Sequence, residues 1–204
     1  MKNAIALIAI AGMTAAASAQ ETFSYSLVGA PATVDTSSGD VTFTMNVVAN
    51  SSFGSHILGG SYGVESNSAL VSDMQWSNPS WSAFPTDDIG YLGNGNYGQV
   101  IYGQLLIFGL PPFDVPGAGS ELPDGDAGSF EVTVAAGTSG VINFELTGQQ
   151  PFSLETIDMV DGTGSVNSSD GILTLNGTSI NVVPAPSALA LLGLGGIAAG
   201  RRRR

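Results

Sequence analysis

The chain has 204 residues, with 17 Asp and Glu against five Lys and Arg, one His and no Cys. Without cysteine there are no disulfides and no thiol chemistry, and the five cations lie at the two ends, as Lys2 and Arg201 to Arg204, so the 17 carboxylates between them face no Lys or Arg. Such a body excludes a nucleic-acid partner, whose phosphates need Lys and Arg, and disfavours acidic polysaccharide or anionic lipid for the same electrostatic reason.

Residues 1–19 read as a signal peptide. Lys2 is the positive start, residues 4–11 are the apolar stretch, and Ala17-Ser18-Ala19 is a small-residue cleavage site that leaves Gln20 as the first mature residue. Residues 20–182 read as one domain, long enough to bury a core. Phe23-Ser24-Tyr25-Ser26-Leu27-Val28 alternates apolar and polar. Residues 40–48 alternate more clearly, with Val41, Phe43, Met45 and Val47 on one face. The turn-forming run Thr36 to Asp40 between them predicts neighbouring antiparallel strands. Further strands are predicted at 57–64, 69–75, 99–110, 128–135, 140–147, 155–160, 171–175 and 178–183. Roughly nine short strands punctuated by Gly, Ser, Asn and Pro, with no helical period in the body, predict an all-β fold, a single antiparallel β-sandwich.

Trp76, Trp81, Phe84, Tyr91, Tyr97 and Tyr102 crowd one stretch, with five glycines between positions 90 and 103. Trp76, Trp81, Tyr91 and Tyr97 have the flat faces that a sugar-stacking platform needs; the other reading is that they cap the core. Residues 114–126 form an acidic loop in which Glu121, Asp124 and Asp126 supply oxygens of the kind Ca²⁺ takes, or simply a solvated turn. Asp158, Asp161 and Asp170 repeat that pattern more thinly. No catalytic residue is assigned. His56 stands alone without a Gly-x-Ser-x-Gly elbow, and the rival enzymatic reading is a glycosidase carboxylate pair among the acids.

The last 22 residues, 183–204, read VPAPSALALLGLGGIAAGRRRR. Pro184 and Pro186 delay helix until about Ser187. Fourteen residues, 187–200, then remain, a helix of about 21 Å that is short for a permanent bilayer span of about 30 Å. Arg201 to Arg204 form a cytoplasmic stop.

The order Val183-Pro184-Ala185-Pro186-Ser187, apolar run, Arg201-Arg202-Arg203-Arg204 closely resembles the PEP-CTERM sorting signal of exported Gram-negative proteins. Ala185 departs from the usual middle Glu. The resemblance implies transient insertion in the inner membrane and processing near Pro-x-Pro by an exosortase, a membrane-embedded cysteine protease or transpeptidase. It then implies release or attachment at the cell surface or in the extracellular matrix. The body resembles, more faintly, cohesin-like and carbohydrate-binding-module jelly-roll sandwiches, on Val41 to Ala49 with Gly59-Gly60-Ser61-Tyr62-Gly63-Val64, and on Gly128 to Val134 with Gly140 to Leu146. The expectation is a non-enzymatic structural or adhesive module without a required cofactor. The alternatives are a module binding exopolysaccharide or Ca²⁺, or a glycan-acting enzyme.

Overall fold

The computed structural model describes residues 19–83, 87–107, 109–111, 114–115, 125–150, 152–156 and 164–183. In chain order the strands are β1 (Phe23–Val28), β2 (Thr33–Asp35), β3 (Val41–Ser51), β4 (Ile57–Glu65), β5 (Val71–Ser77), β6 (Asp87–Asp88) and β7 (Tyr91–Gly93). They continue with β8 (Asn96–Gly103), β9 (Gly125–Val134), β10 (Gly140–Gly148), β11 (Leu154–Thr156), β12 (Ser165–Val166), β13 (Leu173–Asn176) and β14 (Thr178–Val183). Among the described residues no helix is long and apolar enough to cross a membrane. The predicted signal peptide up to Ser18 and the C-terminal apolar helix lie outside the described residues.

Two sheets face each other. The first runs β13-β1-β3-β9-β5; the second carries β2, β14, β10 and β4, with β8 on the far edge of β4 and the short β6 and β7 beyond it. Period-two alternation puts Phe23, Tyr25 and Leu27 of β1 inside, together with Met45, Val47 and Ala49 of β3 and Ile142, Phe144 and Leu146 of β10. Val141, on the opposite face of β10, is 61% exposed.

The sandwich is not wholly antiparallel. β1 pairs with β13 in parallel, and β2 pairs with β14 in parallel. In each case two consecutive strands divide between the sheets, so the first and last segments of the body are fastened together in both layers. Gly177 makes the second crossing, and a Cβ there would overlap the Phe144 carbonyl oxygen. The strand predicted at 99–110 instead runs 96–103. Ser82 closes it, its hydroxyl accepting the Gly103 N–H at 2.8 Å and bonding the Gly103 carbonyl at 2.9 Å.

β4 is the hub of the second sheet. One edge takes β8; the other takes β10 along Tyr62 to Glu65 and β11 along Ile57 to Gly60. Its Tyr62 ring lies 5.5 Å from Tyr25, 5.8 Å from Tyr102 and 6.1 Å from Phe130, in tilted and edge-on geometry. The buried hydroxyls are satisfied: Tyr62 donates to the Ala127 carbonyl at 2.6 Å, and Tyr25 to the Ser153 carbonyl at 2.8 Å. Tyr25 and Tyr102 also share a 2.5 Å hydrogen bond.

Candidate functional site

The four aromatics named for sugar stacking do not form an exposed platform. Trp81 is 7% exposed, donates its indole N–H to the Asp126 carbonyl at 2.8 Å, and stands edge-on to Tyr102 at 5.9 Å. Tyr97 is 6% exposed, packs edge-on against Phe130 at 5.1 Å, and donates its hydroxyl to Asp88 at 3.0 Å. Burial, helped by that carboxylate, pushes the Tyr97 phenol up to about 12. Trp76 donates to the Tyr62 hydroxyl at 3.1 Å and Tyr91 to the Val71 carbonyl at 2.7 Å, both half-buried. Burying ring faces removes apolar area from water, and here each polar tip finds an acceptor within the protein, so the rings serve the core.

Of the three candidate Ca²⁺ ligands in the acidic loop, Asp126 alone is described, and Glu121 and Asp124 lie outside the described residues. Asp126 accepts the Gly128 N–H at 2.9 Å within β9. Asp170 accepts the Asn167 N–H at 2.7 Å, closing the turn before β13; Asp158 and Asp161 are not among the described residues. No group of three metal-ligating side chains occurs among the described residues. Near β4 a buried carboxylate, Glu21, accepts hydroxyl bonds from Ser51 and, at 2.6 Å, from Ser55.

A groove of about 390 Å³ that the sequence did not point to opens beside the β7–β8 hairpin. Ile89 and Leu92, 65% and 63% exposed, form an apolar wall; Asn67, Asn96, Gln99 and Gln149 add amides. The hairpin turn is Asn94-Gly95, both at positive φ (53° and 71°), the geometry of a two-residue turn between Gly93 and Asn96. That dipeptide was the available signal. The amides come from separate strands and loops and have no common spacing.

At the other functional end, β14 delivers the chain directly into the C-terminal signal. Asn181, Val182 and Val183 pair in parallel with Thr33, Val34 and Asp35, while Gly140 to Phe144 pair with the opposite edge of β14. Val182 is 2% exposed, and the Thr36 N–H bonds the Val183 carbonyl at 3.2 Å. Ala19 and Gln20, at the expected leader junction, are both exposed.

An all-β sandwich joined without a spacer to a sorting element defines the class. Residues 182–204 match the PEP-CTERM protein-sorting motif, the signal of exported proteins sorted to the envelope of Gram-negative bacteria. No curated protein matches the chain. Solved structures that it is similar to include a cohesin module of a Clostridium perfringens family 33 glycoside hydrolase, with 10% identity, TM-score 0.46, and coverage of 80% of this chain and 98% of that one. A non-cellulosomal cohesin from Archaeoglobus fulgidus has 16% identity and TM-score 0.40, covering 81% and 92%. A cohesin of Acetivibrio cellulolyticus, solved with a dockerin, has 12% identity and TM-score 0.41, covering 79% and 99%.

Proposed function

We propose that this chain is exported by a leader cleaved between Ala19 and Gln20, held briefly in the inner membrane by residues 183–204, and processed there by an exosortase. Its body, residues 20–182, then acts at the cell surface or in the extracellular matrix as a non-enzymatic structural or adhesive β-sandwich. The observation that carries this reading is the sorting motif at 182–204, continuous with the last strand of the fold. Within it, Val183 to Ser187 are the processing element and Arg201 to Arg204 the cytoplasmic stop.

The groove beside β7 and β8 supports the adhesive form of this reading. The NH₂ groups of Asn96, Gln99 and Gln149 bond Asn67, Ser61 and Thr147, while the amide oxygens of Gln99 and Gln149 can accept from sugar hydroxyls, and Ile89 and Leu92 offer an apolar wall. A body without Lys or Arg favours a neutral exopolysaccharide over an acidic one.

Two experiments test this. In a host lacking exosortase, the protein should stay membrane-bound with its Arg tail, and release there at a normal rate would contradict the sorting role. Calorimetry of the exported protein against neutral exopolysaccharide should give heat that Gln99→Ala reduces. Silence in both proteins would leave a purely structural module, and glycan hydrolysis would overturn the non-enzymatic reading.

A further inference from the structure

The sandwich carries a second, uncharged furrow on the side away from the β7–β8 groove. We propose that this furrow is a second seat for neutral polysaccharide, so that one molecule holds two polymer strands and cross-links them. The inference rests on the adhesive reading above and adds to it a new site and a new activity.

The furrow, of about 350 Å³, opens on the outer face of the first sheet, where β13, β1 and β3 lie side by side. Alternation sends Phe23 and Tyr25 of β1, and Ala49 and Ser51 of β3, into the core. It therefore turns Ser24, Ser26 and Asn50 outward, with Thr174 and Asn176 of the edge strand β13. The strand registers line these side chains up. Thr174, Ser24 and Asn50 form one row across three strands, and Asn176 and Ser26 begin the next. Neighbouring strands lie about 4.8 Å apart and successive rows on one face about 7 Å, so the hydroxyls and amides stand in a regular array.

The chemistry of the array selects the ligand. None of the eight residues lining the furrow is charged, although the chain holds 17 carboxylates. An ionic polymer finds no counter-charge there. Among the described residues, the Ser24, Asn50 and Thr174 side chains hold no hydrogen bond to another protein group. Their donors and acceptors face water and can exchange it for sugar hydroxyls. Asn176 donates its NH₂ to the Ser26 hydroxyl at 3.1 Å, which leaves its amide oxygen for a ligand.

The β7–β8 groove lies on the outer face of the second sheet, lined there by Gln99 of β8, Thr147 of β10 and Gln149. Packed sheets stand about 10 Å apart, and the two sites look in opposite directions. A strand held in one leaves the other facing away from it. A protein with one seat only coats a polymer, whereas one with two opposed seats joins separate strands into a network.

The test mixes the exported protein with dextran, laminarin and xyloglucan as neutral probes and with alginate as an acidic one, and follows light scattering. With at least one neutral polymer, scattering should rise to a maximum and fall again at protein excess, while alginate gives none. The Asn50→Ala/Thr174→Ala double variant and Gln99→Ala should each still bind that polymer by calorimetry yet scatter at least tenfold less. Circular dichroism melting checks that both variants are folded. Binding without a rise in scattering, or scattering undiminished in either variant, overturns the proposal and leaves the adhesive reading standing. Scattering in the absence of polymer would mean that the furrow takes a second copy of this chain, which also overturns it. No binding to any of the polymers overturns both.

Discussion

A Cβ on Gly60 would overlap the Tyr25 hydroxyl and meet the Tyr102 hydroxyl at 2.7 Å and the Ser153 carbonyl at 2.8 Å. The three groups form the buried hydrogen-bond cluster at the centre of the sandwich, so Gly60→Ala forces them apart and should cost about 3 kcal/mol or more. Tyr25→Phe keeps the ring and removes only the hydroxyl, so the Tyr102 hydroxyl loses its bond to Tyr25 while the Ser153 carbonyl keeps the Ser61 N–H, and it should cost about 1–3 kcal/mol. Urea midpoints of the two variants check both the size and the order. Burial raises the phenols of Tyr25, Tyr62 and Tyr102 above their usual value, and that of Tyr97 to about 12. The unfolded chain releases those protons near pH 10 while the fold keeps them, so stability is full below pH 10 and falls as pH climbs through the folded values. Tyrosinate absorbance from these four residues should therefore rise together with unfolding above pH 10; their titration near 10 in a folded protein would contradict this. None of this was readable locally. The acceptors for Trp81 and Tyr25 stand 45 and 128 positions away in sequence, so spacing within the Gly-rich stretch said nothing about which way its rings face.

At the scale of elements, the longer strands were legible because alternation of Val, Phe, Met and Tyr with Ser, Thr and Asn is a local signal. The predicted 178–183 strand coincides with β14, and β1 coincides with the predicted 23–28. The expected pairing of residues 23–28 with 40–48 also holds as β1 against β3, although β2 departs to the other sheet between them. Strands of two or three residues, such as β2, β6 and β12, are too short to show a period. The parallel pairs β1–β13 and β2–β14 join residues nearly the whole body apart, a tertiary outcome that local pattern does not encode. Because these pairs close both sheets, the last strand is indispensable and the signal beyond it is not. A chain ending at Ser187 should melt within about 2 °C of the exported protein, whereas one ending at Gly177 should fail to fold; far-ultraviolet circular dichroism with temperature distinguishes them.

The whole molecule is a carboxylate-rich shell with no Lys or Arg between residues 20 and 200. Ion pairs to such cations cannot contribute to its stability, which rests on apolar burial and backbone hydrogen bonds. Its surface charges mainly repel one another, and salt screens that repulsion. Raising ionic strength from about 0.01 to 0.15 M should lift the melting temperature by a few degrees, and a fall would contradict the account. The same charge disfavours binding to anionic lipid and nucleic acid. The sorting motif was legible from the C-terminal end of the chain. The groove beside the β7–β8 hairpin was not, since folding alone brings its residues together. The most direct measurement is the intact mass of the protein recovered from the envelope or the medium. The mass should correspond to a chain that starts at Gln20 and has lost Arg201 to Arg204. A full-length chain from Met1 to Arg204, found in the cytosol, would contradict the account.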